Sequence, residues 1–101
     1  MLSKDEARSV AERYIAELES VIGTELVLID EATIERTFGW VFFYNSRSYV
    51  DTGNFSECLV GNAPVIITRE NGEIHTTGTA LPIESYLDNF ERFGDPHREP
   101  R

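Results

Sequence analysis

The sequence is poor in residues that bind metals or form disulfides. It contains one cysteine, Cys58, and two histidines, His75 and His97. A lone cysteine excludes a disulfide within the chain and favours a reducing compartment, so we expect the cytoplasm. These residues offer no pair at the spacing of zinc ligands, the carboxylates follow no calcium-loop pattern, and no glycine-rich phosphate-binding motif occurs. We therefore expect neither a bound metal nor a cofactor.

Long apolar runs and positive charge are also scarce. The longest apolar stretches, LVLI and WVFFY, are far shorter than the ~20 residues that span a bilayer, and the N-terminus MLSKDEAR lacks the apolar run of a signal peptide. The 18 acidic residues outnumber 9 basic ones, and the net charge of −9 repels phosphate backbones and anionic lipids. We expect no nucleic acid and no membrane as partner. The acidic surplus serves solubility, or it also attracts a basic protein.

Two amphipathic helices are predicted, one near each end of the chain. Ser3 and Glu6 match a capping box, and the apolar stripe that follows ends at Gly23, which can adopt a left-handed cap. A second stripe begins after Pro82 and ends at Gly94. The first stripe contains Ala7, Val10, Ala11, Tyr14, Ile15, Leu18, Val21 and Ile22, and the second contains Ile83, Tyr86, Leu87, Phe90 and Phe93.

Short runs rich in β-branched and aromatic residues predict strands between these helices. The runs cover residues 26–29, 37–45, 65–69 and 73–77. In the second run, Trp40, Phe42 and Tyr44 should point to one face, and Val41 and Phe43 should point to the other. We expect Trp40 to pack in the core; the alternative is an interface anchor.

The order of these elements predicts an α+β fold. The chain of 101 residues is long enough for one hydrophobic core, so we expect a single domain at 1–94 and a flexible tail at 95–101. Asn71 and Gly72 should join the last two strands as a hairpin, because both residues tolerate positive φ. We expect an N-terminal helix, a largely antiparallel sheet of about four strands and a C-terminal helix, with the helices packed on one face of the sheet.

The stretch from Ser46 to Asn62 has no clear period. Connections longer than ~12–15 residues are uncommon in compact domains unless they have a function, so we expect a partner-binding surface here and at nearby acidic residues. The candidate residues are Glu31, Glu35, Tyr49, Asp51, Asn54, Phe55 and Glu57. Two alternatives stay open. The acids form only a solvated rim, or the loop packs its own apolar residues under the sheet.

No convincing catalytic constellation is present. Cys58 and His75 offer a nucleophile and a base, but no nucleophile-elbow glycines surround Cys58, and His75 falls within a predicted strand. His97 falls in the expected tail, where it would not be held near a nucleophile. We expect no enzyme and no catalytic residues, with a small Cys/His hydrolase as a remaining alternative.

Three motifs carry a family resemblance. The sequence GWVF at 39–42, DTG at 51–53, and GNAPVIITRENGEIHTTGTALPIESYL at 61–87 resemble the YrhB domain, also called the immunity protein 35 family. This resemblance implies a small α+β cytoplasmic protein that is encoded beside a bacterial polymorphic toxin. It supplies no catalytic residues. We interpret the following matching positions as scaffold: Trp40, Gly61, Asn62, Pro64 and Gly72.

The resemblance also implies a function, which is binding without turnover. An immunity protein neutralises its cognate toxin, or the C-terminal toxin domain, by occluding the active site or by locking the toxin in an inactive form. Because a related protein is described as a chaperone, the alternative is a holdase that binds unfolded clients. The sequence gives neither the toxin nor the oligomeric state.

Overall fold

The computed structural model describes residues 1–59 and 62–97, which form three α-helices and six strands. The helices are α1 Lys4–Ile22, α2 Arg47–Thr52 and α3 Ile83–Phe93. The strands are β1 Leu26–Leu28, β2 Ile34–Arg36, β3 Gly39–Phe42, β4 Tyr44–Ser46, β5 Val65–Thr68 and β6 Ile74–Thr76. Two 3₁₀ turns lie at Asp30–Ala32 and Phe55–Glu57. None of the helices in the described part is long and apolar enough to cross a membrane.

The strands form a four-stranded antiparallel sheet in the order β2-β3-β5-β6 and a two-stranded antiparallel sheet of β1 and β4. This arrangement confirms the α+β class and the largely antiparallel sheet of about four strands. The capping box at the start of α1 is also confirmed, since the Ser3 N–H donates to Glu6 Oε1 at 2.9 Å and the Glu6 N–H donates to Ser3 Oγ at 3.2 Å.

The run at 37–45, which we predicted as one strand, is divided into β3 and β4. Leu28 pairs with Tyr44, and Ile34 pairs with Val41, so residues 29–33 stand opposite only residues 42–43. The extra residues are taken up by the 3₁₀ turn Asp30–Ala32. We did not predict β2 from the sequence. It has only three residues and a single apolar side chain, Ile34, so it shows neither an apolar run nor an alternation that indicates a strand.

The helices cover both faces of the four-stranded sheet, which corrects the expectation of one covered face. On one face, Ala7 and Ala11 of α1 pack with Trp40 and other residues of β3 and β5. On the other face, α3 packs on Val41 and Ile66. All four residues of β5 are buried, and a sheet covered on one side would leave the second apolar face in water, at ~1.5–3 kcal/mol for each large side chain.

The last turn of α1 extends beyond the sheet. Val21 is 82% exposed and Ile22 is 46% exposed, although both continue the predicted apolar stripe. Gly23 ends the helix at φ 81°, as expected. Helical periodicity identifies the apolar face of a helix, but it does not show how far the sheet extends beneath that face. The apolar stripe of α1 therefore predicted that Val21 and Ile22 are buried, although the sheet does not cover them.

The turn between β5 and β6 differs in detail from the predicted two-residue Asn-Gly turn. The Gly72 N–H donates to the Thr68 carbonyl at 2.9 Å, and Gly72 has φ 71°. Asn71 does not adopt positive φ. Its Oδ1 instead accepts a hydrogen bond from Thr68 Oγ1 at 2.6 Å. The hairpin is therefore confirmed, with one residue at positive φ and a side-chain hydrogen bond across the turn.

Residues 95–97, which follow α3, make contacts with the rest of the protein. Pro96 is buried, and its carbonyl accepts a hydrogen bond from Asn89 Nδ2 at 3.4 Å. His97 Nε2 lies 2.9 Å from the Thr76 carbonyl, and the His97 ring lies 5.7 Å from the Tyr86 ring. Residues 95–97 thus pack against α3 and the edge strand β6. Residues 98–101 lie outside the described residues, and the domain limit at 94 stays a prediction.

Gly39→Ala tests the contact between β3 and β5. Gly39 has φ 150°, and an added Cβ would lie 2.1 Å from the Ile67 carbonyl oxygen. We expect the free energy of unfolding to fall by ~3 kcal/mol or more, from backbone strain and overpacking together. Chemical denaturation measures this loss. The control is Gly23→Ala, which also has positive φ but meets no atom within 4 Å, and it should cost only ~1–2 kcal/mol. Equal losses in the two variants would contradict the close contact.

Candidate protein-binding surface

Most of the predicted surface residues lie in one segment that follows β4. We call residues 47–57 the 47–57 segment; it contains α2, the residues Gly53 and Asn54, and the 3₁₀ turn Phe55–Glu57. The structure brings these predicted residues together in it: Tyr49, Asp51, Asn54, Phe55 and Glu57. Within the stretch that showed no period in the sequence, residues 47–52 therefore form a short helix and residues 55–57 form a 3₁₀ turn.

Local hydrogen bonds explain why this sequence forms a helix and then a turn. Ser46 caps α2, because its Oγ accepts a hydrogen bond from the Tyr49 N–H at 3.1 Å. Gly53 ends α2 at φ 71°, and its N–H donates to the Tyr49 carbonyl at 2.7 Å. Asn54 caps the following turn, since its Oδ1 accepts hydrogen bonds from the N–H of Ser56 at 3.1 Å and from Ser56 Oγ at 2.9 Å.

Two buried polar residues attach the segment to the rest of the protein. Ser46 is 1% exposed, and its Oγ donates a hydrogen bond to the Glu57 carbonyl. Asn45 is 8% exposed, and its Oδ1 accepts a hydrogen bond from the Leu59 N–H at 2.9 Å. Sequence reasoning missed both roles. A polar Asn-Ser pair directly after an aromatic strand was the available signal, because buried polar groups require partners.

A separate hydrophobic cluster lies at the two-stranded sheet of β1 and β4. Ile15, Leu26 and Tyr44 form its buried part, and Leu18 and Leu59 pack against it. Burial raises the pKa of the Tyr44 hydroxyl, and the nearby Tyr14 raises it further. Leu59, two residues beyond the 47–57 segment, therefore attaches the chain after the segment to this cluster by apolar packing.

The outer side of the segment combines aromatic and acidic groups. Phe55 is 82% exposed, and its ring centroid lies 6.0 Å from that of the partly buried Tyr49. Arg47 forms ion pairs with Glu25 at 3.1 Å and with Asp51 at 3.4 Å. The hydrogen bond that Arg47 donates to Glu25 raises the pKa of its guanidinium, and Asp51 adds to this effect. Because one cation serves two carboxylates, this cluster keeps a negative charge.

Exposed apolar residues that we did not predict as surface occur in the segment and next to it. Val50 in α2 is 42% exposed. The exposed Val21 and Ile22 lie just before Glu25, whose carbonyl accepts a hydrogen bond from the Arg47 N–H at 2.9 Å. The end of α1 and the start of α2 are therefore adjacent at one end of the molecule.

The remaining two predicted residues lie apart from the segment. Glu31 is exposed on the 3₁₀ turn Asp30–Ala32, where the hydrogen bond from Arg8 lowers the pKa of its neighbour Asp30. Glu35 lies in β2 opposite Trp40, and it forms an ion pair with Arg69 at 3.1 Å. Both acids therefore lie on elements outside the 47–57 segment, and Arg69, the partner of Glu35, directly follows β5.

The predicted scaffold positions lie in or against the sheet. Trp40 is 2% exposed, and the Arg69 guanidinium lies 4.3 Å from the centre of its ring. Asn62 Nδ2 donates to the Tyr44 carbonyl, while the Pro64 carbonyl accepts from the Thr77 N–H at 3.0 Å. An added Cβ at Gly72 would lie 3.1 Å from the Leu2 side chain. Gly61 lies outside the described residues.

The residues considered for catalysis make contacts with other groups. Cys58 Sγ lies 3.5 Å from Asn45 Nδ2 and 3.4 Å from the Leu59 carbonyl. The His75 ring lies 4.8 Å from the Phe90 ring, and its Nε2 lies 3.4 Å from Glu73 Oε1. Within residues 1–59 and 62–97, histidine, cysteine and acidic side chains form no group of three that could hold a metal.

Comparison with known proteins places this architecture in a family. The family model described as Immunity protein 35 matches residues 5–90. The chain belongs to the immunity protein 35 family. The match confirms the resemblance that we drew from the motifs, and it extends through α1, where the sequence showed only general amphipathic character.

A curated relative supports the same assignment. Over 53 residues, the chain is 47% identical to the protein of Escherichia coli (strain K12) named "Uncharacterized protein YrhB". The alignment covers 52% of this chain and 56% of that protein, so it spans about half the length of the relative. No solved structure matches the chain.

Trp40→Ala tests whether the tryptophan belongs to the core of this immunity protein 35 member. Because the ring is 2% exposed, we expect the free energy of unfolding to fall by ~3–5 kcal/mol, as measured by urea denaturation followed by circular dichroism. Trp40→Phe is the control. It keeps an aromatic ring and removes the buried Nε1, which has no hydrogen-bond partner, so its cost should be clearly smaller. Unchanged stability in Trp40→Ala would contradict the core position, and lost partner binding in the same variant would assign the ring to an interface.

Proposed function

We propose that this protein is an immunity protein that binds one cognate bacterial toxin and neutralises it by contact, in the cytoplasm of the cell that produces both. The match of the immunity protein 35 model to residues 5–90 is the observation that carries this proposal. Family membership supports an immunity function in general. The polymorphic toxin as partner, and occlusion or locking of its active site, are the finer parts that we propose.

The distribution of charge supports a basic partner. The chain has a net charge of −9, and four of its arginines form ion pairs with carboxylates of the same chain. These pairs are Arg8–Asp30, Arg36–Glu84, Arg47–Glu25 and Arg69–Glu35. Each pair is neutral as a unit, so the five other basic residues of the sequence stand against fourteen other acids, and the negative surplus lies outside these pairs. Such a field attracts a basic protein and can raise its association rate by ~10–10³ at low salt.

The 47–57 segment is the contact surface that we propose. It presents Tyr49, Asp51, Asn54, Phe55 and Glu57 together, whereas Glu31 and Glu35 lie elsewhere. We propose that those two acids contribute to steering rather than to the contact itself. This mode of action requires no catalytic residue, in agreement with family membership and with the separate contacts of Cys58 and His75.

Co-expression tests the proposed function. The gene product encoded next to this protein should arrest growth when expressed alone, and co-expression of this protein should restore growth and yield a complex that co-purifies. Mixing this protein with chemically unfolded, unrelated proteins is the control, and it should not suppress their aggregation. A harmless neighbour, or one that does not bind, would refute the proposal. Broad protection of unrelated clients would favour the holdase alternative.

A further inference from the structure

We infer that Phe55 is a preorganised anchor for the toxin and that Asn45 and Ser46 are positioning residues that hold it in place. This inference rests on the proposed function. The partner surface that fits is an apolar pocket rimmed by lysine or arginine on a protein. Two independent features of the structure, the exposure of the ring and the way its backbone is held, support this assignment.

The exposure of Phe55 is the first feature. The side chain is 82% exposed, so the fold gains little from a ring whose full burial would contribute ~1.5–3 kcal/mol. Val50 in the same segment is also exposed, and the Tyr49 ring stands beside Phe55 at 6.0 Å. A lone exposed apolar residue is ordinary on a protein surface, so exposure alone does not indicate a binding site.

The second feature is that the backbone on both sides of this exposed ring is fixed. Asn54, directly before Phe55, caps the 3₁₀ turn that begins at Phe55. The Phe55 carbonyl accepts a hydrogen bond from the Cys58 N–H at 3.1 Å. Beyond the turn, the buried Ser46 donates to the Glu57 carbonyl, and the buried Asn45 accepts from the Leu59 N–H. The fold places buried polar groups behind an exposed aromatic turn. An aromatic side chain presented on a fixed backbone loses less entropy on binding than one on a mobile loop.

The charges around the ring determine which partner fits. Asp51 and Glu57 flank Phe55 within the segment and are exposed, and Arg47, the one basic residue of the segment, is shared between Asp51 and Glu25. A second copy of this chain would bring like charges together, and an anionic lipid surface would be repelled. An apolar pocket with a basic rim would accept the ring and pair with these carboxylates.

Phe55→Ala tests the anchor. The probe is the purified product of the neighbouring gene, and its binding to the wild-type protein and to the variant is measured by calorimetry. We expect Kd to rise at least ~30-fold, as for an interface hot spot, with an unchanged melting temperature because the ring is exposed. Leu81→Ala is the matched control: Leu81 is 53% exposed but lies outside the segment, and Kd should change less than ~3-fold.

The positioning role has its own test. Ser46→Ala removes the hydroxyl that bonds to Glu57 and Tyr49, so amide hydrogen exchange should accelerate at residues 55–59, and Kd should rise less than in Phe55→Ala. In the double variant, Ser46→Ala should add little to the loss caused by Phe55→Ala, because both act through the ring. Additive losses would show that Ser46 acts independently of Phe55.

The outcomes separate this inference from the proposed function. If the wild-type protein and Phe55→Ala bind the probe equally well, the anchor is wrong and the immunity function stands. If the wild-type protein does not bind the probe, both the function and the anchor are refuted.

Discussion

The pairing of β3 with β5 is the constraint on which the fold depends. Both strands are buried along their whole length, and each presents apolar side chains to both faces of the sheet. Exposing the apolar side chains of either face to water would lower the free energy of unfolding. The sheet therefore requires a helix on each face, and α1 and α3 cover the two faces. Gly39 permits this pairing, because any larger residue would collide with the backbone of β5. The N-terminal and C-terminal helices are therefore parts of one three-layered core.

The bend between β3 and β4 separates the core from the proposed contact surface. At this bend the chain leaves the four-stranded sheet, and β4 pairs with β1. Leu26 of β1 and Tyr44 of β4 form a separate hydrophobic cluster with Ile15. The 47–57 segment is fastened to this end by Asn45 and Ser46. Its outward side chains belong to neither of the cores that cover the two faces of the four-stranded sheet. Under the function that we propose, these side chains would determine specificity for the toxin, while the sheet maintains stability.

The elements that could be predicted from the sequence are those formed by interactions between residues close together in the chain. The capping box of α1, the alternation of Trp40 and Val41, and the β5–β6 hairpin belong to this group. The missed features depend on contacts between distant residues. Ile34 is too weakly buried to mark β2, and the exposure of Val21 depends on where the sheet ends. The stretch from Ser46 to Asn62 was singled out by its length as a partner-binding surface, and this stays a prediction. The hydrogen bond between Asn45 and Leu59 that attaches it joins residues 14 positions apart, so no local pattern specifies it.

Charge and apolar contact have different parts in the proposed interaction. At physiological ionic strength, screening limits the reach of exposed charges to ~8 Å, so the net charge of −9 can guide a basic partner over the last part of its approach but cannot select it. Exposed ion pairs such as Arg47–Asp51 contribute only ~0–1 kcal/mol each. In the complex that we propose, selection therefore comes from contact, where the Phe55 ring would fill a pocket and slow dissociation. The acidic field would then govern the association rate, and the shape around Phe55 would govern the dissociation rate.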